Sequence, residues 1–188
     1  MDSKSVLRKL QSRGFVPEGD YDIIRRNSPR ICHDAIIYLP GQKKILLAVR
    51  QQEPSKGDVW PFGGGQKMGF PMKDSLKKLI EKESGLAVAL GAQFFGKPVD
   101  HLWSKGPKGE PVHDVGNYYT ILGCGEISPD KLNKARLITG EEYMDTREDF
   151  AHWTKVGMDR AVERFFGIKV KGRTPFPRYY VDAIPVFN

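Results

Sequence analysis

The chain has 188 residues, and 30 Lys and Arg against 23 Asp and Glu give it a net charge of +7 and a pI near 9.4. This length suits one domain with its own core, and a composition that is 39% hydrophobic and 28% charged excludes a disordered chain. No apolar run approaches the roughly 20 residues that cross a bilayer, and the first eight residues lack the apolar stretch of a secretory signal. The sequence therefore predicts a cytoplasmic protein with no membrane partner.

The first 26 residues are predicted to form a helical extension. Val6, Leu7 and Leu10 share one face of a helix over Ser3–Arg13, and residues 14–30 are rich in Pro, Gly, Asp and Arg, which is typical of a connecting loop.

The next elements are predicted to be a hairpin, a glycine loop and a helix. Apolar strands at Ile31–Tyr38 and Lys44–Arg50 flank the turn pair Pro40-Gly41. The triple glycine 63–65 then leads to a helix over Asp74–Ser84, with Asp74 as its N-cap and Gly85 as the residue that ends it.

The second half predicts further strands and one more helix. Strands are predicted at Leu86–Phe95, Val115–Leu122 and Phe150–Lys155, a helix at Gly157–Phe166, and an extended tail at Lys169–Asn188. Strands alternating with few helices indicate an α/β (α+β) domain with a mixed sheet. The predicted divisions are an extension over 1–26, a domain over 27–167 and a tail over 168–188.

The cysteines and the net charge limit the chemistry that the sequence allows. Cys32 and Cys124 have no metal-ligand spacing and are predicted to be reduced thiols, with a single disulfide as the alternative. The positive charge favours anionic partners, but the chain has no arginine-rich helix or zinc-finger spacing. A nucleotide-like small substrate is therefore predicted rather than nucleic acid, the alternative being a solvated basic surface.

The helix after the glycines carries an unusual carboxylate. Glu83 lies three and four residues after Ile80 and Leu79, which turns it towards the apolar face. It is also in the last turn, where the helix dipole disfavours a carboxylate by roughly 0.3–1 kcal/mol. A compensating cation is expected, and Mg2+ prefers such oxygen ligands. The alternative is a frayed helix end, with Glu83 in solvent or paired with a lysine.

The segment Gly63–Leu86 resembles a Nudix box, the loop and helix that bind divalent metal on diphosphate substrates. Anchored on Gly85-Leu86, the ordinary box has Glu at 70, Arg-Glu at 78 and 79, and Glu at 82 and 83. This chain has Phe70, Lys78, Leu79, Lys82 and Glu83 at those places. The resemblance implies the Nudix fold, a mixed sheet sandwiched between helices, with few of the usual metal carboxylates.

The GDP-mannose mannosyl hydrolases, a Nudix branch with a degenerate box, resemble the chain over about residues 27–155. The shared motifs are Asn27-Ser28-Pro29, His33-Asp34-Ala35-Ile36, Leu46-Leu47 to Arg50, Gly57-Asp58-Val59-Trp60, Gly63-Gly64, Gln93-Phe94-Phe95-Gly96 and Tyr118 to Gly123. The resemblance implies a homodimer that uses one Mg2+ (or Mn2+) and hydrolyses a nucleotide sugar at the anomeric carbon.

The same resemblance assigns roles to residues of this chain. Glu83 and the carbonyl of Gly63 would hold the metal, Arg50 would stabilise the departing diphosphate, and Asp34 and Tyr119 would lie in the substrate pocket. The alternatives are a solvent-facing Arg50 and a Tyr119 that belongs to the core.

Two departures from that branch need substitutes. Gly65 stands where the relatives have a second arginine, so Lys67 is expected to supply that charge. Arg147 and Glu148 stand where the relatives have a Gln-His pair, so Glu148 is expected to be the general base, with His152 as the second candidate.

Three other functions stay open on the sequence. They are a Nudix pyrophosphatase that cleaves the diphosphate, a catalytically inactive nucleotide-binding module, and a nucleic-acid-binding protein whose affinity falls steeply with salt.

Overall fold

The computed structural model describes residues 23, 27–51, 55–88, 93–94, 96–106, 109–132, 134–182 and 184–187. The helix predicted at Ser3–Arg13 lies outside these residues, as does the whole extension over 1–26 except Ile23. Both described cysteines, Cys32 in the interior and Cys124 at the surface, are free thiols.

Within the described part of the chain, eleven strands form one mixed sheet system. They are β1 (Arg30–Leu39), β2 (Lys44–Val49), β3 (Val59–Trp60), β4 (Phe62–Gly65), β5 (Ala87–Val88), β6 (Gln93–Phe94), β7 (Val99–Trp103), β8 (Val112–Cys124), β9 (Ala135–Ile138), β10 (Tyr179–Val181) and β11 (Ile184–Val186). The main order is β11-β10-β7-β8-β1-β2-β3, and β4 pairs with β1. The predicted hairpin is confirmed, because β1 and β2 pair antiparallel.

Helices lie on both faces of this sheet. They are α1 (Met72–Ser84), α2 (Pro129–Leu132), α3 (Gly140–Thr146) and α4 (His152–Phe166), with a 3-10 turn at Arg147–Asp149. Among the described helices, none is long and apolar enough to cross a bilayer.

The alternation of β1 divides the core into two layers. Ala35 and Ile37 pack in one cluster with Leu76 and Ile80 of α1, whereas Ile36 packs in a second cluster that includes Met158 of α4. Successive strand residues face opposite sides of a sheet, so a strand buried on both faces reads as a continuous apolar run. The predicted mixed sheet between helices is confirmed.

Helix α1 begins earlier than predicted and ends where predicted. Its N-cap residue is Pro71, so Asp74 lies in the first turn, where its charge favours the positive end of the helix dipole. At the other end Gly85 has φ 76°, a left-handed conformation that glycine adopts without strain, and its N–H bonds to the carbonyl of Glu81.

The strand predicted at Phe150–Lys155 is wrong. Helix α4 begins at His152 and continues through the glycine at 157, because Trp153, Val156 and Ala161 are buried at helical spacing. The predicted strand at Leu86–Phe95 is present as β5 and β6, with residues 89–92 between them outside the described part.

The predicted extended tail is part of the sheet. Residues 179–181 form β10, which pairs in parallel with β7 and places Tyr180 opposite His101. Strand β11 then pairs with β10 in antiparallel fashion at the sheet edge.

Candidate active site

A cleft of about 440 Å³ opens beside the triple glycine and the end of α1. Four residues that the sequence assigned to a site line it together: Asp34, Arg50, Gly63 and Glu83. The cleft is also lined by further charged and aromatic residues, which are Arg30, Trp60, Lys82, His101, Trp103, Asp114, Lys131 and Lys134. The cleft therefore combines carboxylates, cations and indole rings.

Asp34 is a buried carboxyl group on β1, with 9% of the residue exposed. Burial raises its pKa to about 7, and the negative charge of Asp114 acts in the same direction. The charge of Arg50 and a hydrogen bond from the indole of Trp60 oppose this rise. A carboxyl group in such surroundings can hold or accept a proton near neutral pH.

Gly63 lies directly opposite Asp34 in the β1–β4 ladder. A Cβ at this position would overlap the carbonyl oxygen of His33 and lie 2.7 Å from Oδ1 of Asp34. The lack of a side chain is therefore a geometric requirement, because the His33 carbonyl oxygen and the Asp34 carboxyl group occupy that space.

The backbone polar groups of Gly63 point away from β1. The N–H of Gln66 donates to the carbonyl of Ile31 at 2.8 Å, so by the alternation of an antiparallel ladder Asp34 and Gly63 form a non-hydrogen-bonded pair. The N–H of Gly63 instead faces the Glu83 carboxylate and lowers the pKa of that group. Since a strand residue directs its N–H and C=O to the same side, the Gly63 carbonyl lies on the edge that faces Glu83.

Glu83 projects from the last turn of α1 into the cleft, where its side chain is open to solvent on one side. The protein atoms around its carboxyl group raise its pKa to about 7 by desolvation. The hydrogen bond from Gly63 and the charges of Lys82, Lys131 and Lys67 oppose that rise. Glu83 thus lines the cleft, but as an exposed side chain and not as the inward-facing one that its helical spacing predicted.

Among the described residues, no group of three or more His, Cys, Asp or Glu is arranged to hold a metal ion. The donors that do converge are the Glu83 carboxylate and the Gly63 carbonyl edge, with the carboxyl group of Asp34 across Gly63. Such oxygens suit a hard divalent cation that keeps several of its own waters.

The cations of the cleft are arranged differently from the prediction. Arg50 lies over the ring of Trp60, with its Cζ 4.4 Å from the ring centroid. Lys82 and Lys131 line the cleft beside Glu83, whereas Lys67 does not line it and reaches it only through its charge. The role expected of Lys67 therefore fits Lys82 and Lys131 better.

Arg30 lies beside Gly65, the position at which the resembling branch has a second arginine. Its side-chain carbons pass 3.6 Å from where a Cβ of Gly65 would be. Its guanidinium donates two hydrogen bonds of 2.8 Å to Asp114 on β8, and both residues line the cleft. This charged pair was not predicted from the sequence.

The aromatic wall of the cleft was also missed. Trp60 and Trp103 line it with ring centroids 6.1 Å apart, and His101 stands beside Trp103. Burial lowers the pKa of His101 to about 4, so it is neutral at physiological pH, and it shares a 2.7 Å hydrogen bond with the hydroxyl of Tyr118. Tyr180 of the tail stacks on the same imidazole at 4.6 Å.

Tyr119 does not line the cleft. In the parallel β1–β8 ladder it is opposite Ala35 and packs in the α1 cluster of the core. Its neighbour Tyr118 is opposite Asp34 and belongs to the other face. The substrate-pocket role expected of Tyr119 is therefore not supported, and the core alternative describes its position.

Glu148 is also outside the cleft, on the 3-10 turn before α4. Its side chain is 76% exposed and pairs with Lys155 and Arg147 at 2.8 Å. The hydrogen bond from Lys155 lowers the pKa of Glu148 further from neutrality. A general-base role for Glu148 is not supported by this position. His152, the second candidate, hydrogen-bonds to the Tyr180 hydroxyl at 2.9 Å and does not line the cleft.

No family model and no curated protein matches the chain. Among solved structures it is similar to a MutT mutator protein from Bacillus halodurans, with 16% identity, a TM-score of 0.51 and coverage of 72% of this chain and 84% of that one. It is also similar to a Nudix hydrolase from Nitrosomonas europaea, with 15% identity, a TM-score of 0.50 and coverage of 82% and 79%. The chain has the fold of the Nudix hydrolases.

Proposed function

We propose that the chain is a Nudix-type hydrolase that uses one divalent cation, Mg2+ or Mn2+, to hydrolyse a nucleotide sugar such as GDP-mannose. The observation that supports this most directly is the meeting of Asp34 and Glu83 at Gly63, inside a cleft that Arg50 also lines. The fold supports the hydrolase class, since the similar structures include a Nudix hydrolase.

The metal would be held by the Glu83 carboxylate and the Gly63 carbonyl. Bound there, a divalent cation supplies charge neutralisation for a departing diphosphate. A single carboxylate ligand fits one cation, and it argues against a mechanism that needs a cluster of several.

The diphosphate would bind to the cationic side of the cleft. Arg50 presents a planar guanidinium whose paired N–H groups suit two phosphate oxygens, and the ring of Trp60 supports it from behind. Lys82 and Lys131 add positive charges next to Glu83. These groups stabilise the negative charge that grows on the leaving diphosphate.

Asp34 is the general base in this proposal, in place of Glu148. It is a buried carboxyl group of the cleft, and the indole N–H of Trp60 lies near it. Asp34 would accept a proton from water as the water oxygen forms a bond to the anomeric carbon. The bond from that carbon to the diphosphate oxygen breaks at the same time, and the electron pair leaves with the nucleoside diphosphate.

The second candidate keeps the fold and moves the attack to phosphorus. The similarity to a MutT protein favours such a pyrophosphatase. Against it, Glu83 is the only one of the box carboxylates among the described residues that line the cleft. If neither reaction occurs, the remaining candidate is an inactive module that binds a nucleotide through Arg50 and the lysines.

Product analysis separates these functions. The protein is incubated with GDP-mannose and Mg2+ in 18O-labelled water, and the products are resolved by chromatography and mass spectrometry. GDP with labelled mannose supports hydrolysis at the anomeric carbon, and GMP with mannose 1-phosphate supports the pyrophosphatase. If no divalent metal gives turnover but calorimetry still detects nucleotide binding, the chain is a binding module. Other nucleotide sugars in the same assay test the base and the sugar.

A further inference from the structure

Trp60 contacts both chemical groups on which the proposed reaction depends. The guanidinium carbon of Arg50 lies 4.4 Å from the centroid of the Trp60 ring, over its face. The indole N–H of the same residue is close enough to the carboxyl group of Asp34 to lower the pKa of that carboxyl group. One side chain therefore joins the cation and the carboxylate of the cleft, using two different parts of the ring system.

Trp60 is itself held in place by several elements. Strand β3 pairs with β2, with Trp60 opposite Ala48. The neighbouring carbonyl of Val59 accepts a 2.8 Å hydrogen bond from the hydroxyl of Thr154 on α4. The ring also packs against Trp153, with centroids 5.1 Å apart. These contacts make the indole a fixed reference for the groups that touch it.

Arg50 and Asp34 both need a fixed neighbour to keep one orientation. A long arginine side chain loses rotamer freedom when it is ordered, and the attraction between a cation and an indole face offsets that loss. A carboxyl group can rotate about its last torsion, and a fixed N–H donor selects one orientation. Disorder in either group would misplace the proton acceptor relative to the leaving group.

We infer that Trp60 is a positioning residue that fixes Asp34 through its N–H and Arg50 through its ring face. This inference rests on the proposed function for its kinetic consequences, but its structural content is independent of turnover. The two contacts can be separated, because phenylalanine keeps an aromatic face and removes the donor, whereas leucine removes both.

The test compares Trp60→Phe and Trp60→Leu with the wild-type protein. Trp153→Phe is the matched control, because it removes a neighbouring indole whose N–H has no hydrogen-bond partner among the described residues. The readouts are kcat and KM, calorimetric GDP binding in EDTA, thermal unfolding, and crystal structures of both Trp60 variants.

The two variants are expected to differ in kind. Trp60→Phe should lower kcat by ~10–100-fold, part of the usual contribution of a general base, and leave GDP affinity within about twofold of wild type. Trp60→Leu should lower kcat similarly and also weaken GDP binding by roughly 3–10-fold, the value of a partly exposed cation–π contact. Trp153→Phe should keep the wild-type kcat and GDP affinity, even if its melting temperature falls.

Two results would overturn the inference. One is an unchanged kcat in Trp60→Phe; the other is a parallel fall of kcat, GDP affinity and melting temperature in both variants, which describes a purely structural residue. Failure of the proposed function is distinguishable, because Asp34→Asn and Arg50→Ala would then leave turnover unaffected or the wild type would have none. In that case the crystal structures decide, and the inference fails if Asp34 and Arg50 keep their wild-type orientations in Trp60→Leu.

Discussion

The carboxyl group of Asp34 occupies the space where a side chain at Gly63 would begin. The two residues face each other across the β1–β4 ladder, and Oδ1 of Asp34 lies 2.7 Å from the position of a Cβ at residue 63. The glycine thus leaves room for the Asp34 carboxylate, and its N–H faces Glu83 on the neighbouring helix.

Gly63→Ala is expected to be costly for this reason. The new methyl group would overlap the His33 carbonyl oxygen, which belongs to the backbone and cannot turn aside. Overpacking of this kind costs roughly 1–3 kcal/mol of unfolding free energy, and it should displace Asp34 as well. Gly64→Ala is the control, since its methyl group would meet only Cδ2 of Leu79 at 3.7 Å. Urea unfolding of both variants measures the difference, and equal stabilities would contradict the crowding described.

Glu83→Gln should abolish metal-dependent turnover while the fold is kept. The amide has nearly the same shape but lacks the negative charge that a divalent cation needs. Glu81→Gln is the matched control on the same helix, because Glu81 pairs with Lys77 and does not line the cleft. Mn2+ binding followed by electron paramagnetic resonance gives a readout besides turnover. Retained Mn2+ affinity in Glu83→Gln would show that the cation binds elsewhere.

The lysines beside Glu83 should contribute unequally to nucleotide binding. Lys82→Ala and Lys131→Ala are each expected to weaken GDP binding by roughly 2–5-fold at low salt, and Lys67→Ala by less, because only the first two line the cleft. Calorimetry at two salt concentrations measures this, since a charge effect shrinks as salt rises. A larger loss in Lys67→Ala would restore the role that the sequence first suggested for it.

The fold was largely predictable because its strongest signals are local. The apolar runs of β1 and β2, the periodicity of α1 and the glycine at 85 each act over a few residues. The start of α4 was missed for a local reason as well. Phe150 and Trp153 suggested a strand, and the glycine at 157 suggested a helix start, whereas burial continues at helical spacing from Trp153 onwards.

The part of the cleft built from β1 and β8 could not be predicted, because only the pairing of these two distant strands brings its residues together. Arg30 and Asp114 are 84 residues apart and meet only through the parallel β1–β8 ladder. The same register decides that Tyr118, and not Tyr119, shares a face with Asp34. Sequence spacing alone gives no information on either point. The general-base role predicted for Glu148 has a different obstacle, because Lys155 of the following helix pairs with its carboxylate.

A buried ion pair away from the cleft should make stability depend on acid pH. The carboxylate of Asp159 in α4 is fully buried and accepts hydrogen bonds from the Arg147 guanidinium, the Tyr143 hydroxyl and the Thr174 amide. These contacts outweigh its burial and hold its pKa at about 2, below the ordinary 3.8. A lowered pKa means that the folded state prefers the charged form. That preference contributes about 2 kcal/mol above pH 4, which is lost as the pH falls towards 2.

Asp159→Asn should therefore destabilise the protein at neutral pH and remove this part of the acid transition. The amide leaves the partly buried Arg147 with only Glu148 as a counter-charge among the described residues. Breaking a fully buried pair costs about 3–5 kcal/mol, which is the upper limit here. Asp145→Asn, at an exposed position of α3, is the control and should change little. Urea unfolding at pH 7, 4 and 2.5 measures all three proteins. Since Asp159→Asn lacks the carboxylate with the lowered pKa, the stability gap between it and the wild type should narrow at the lowest pH. A gap that stays constant would assign the difference to packing rather than to charge.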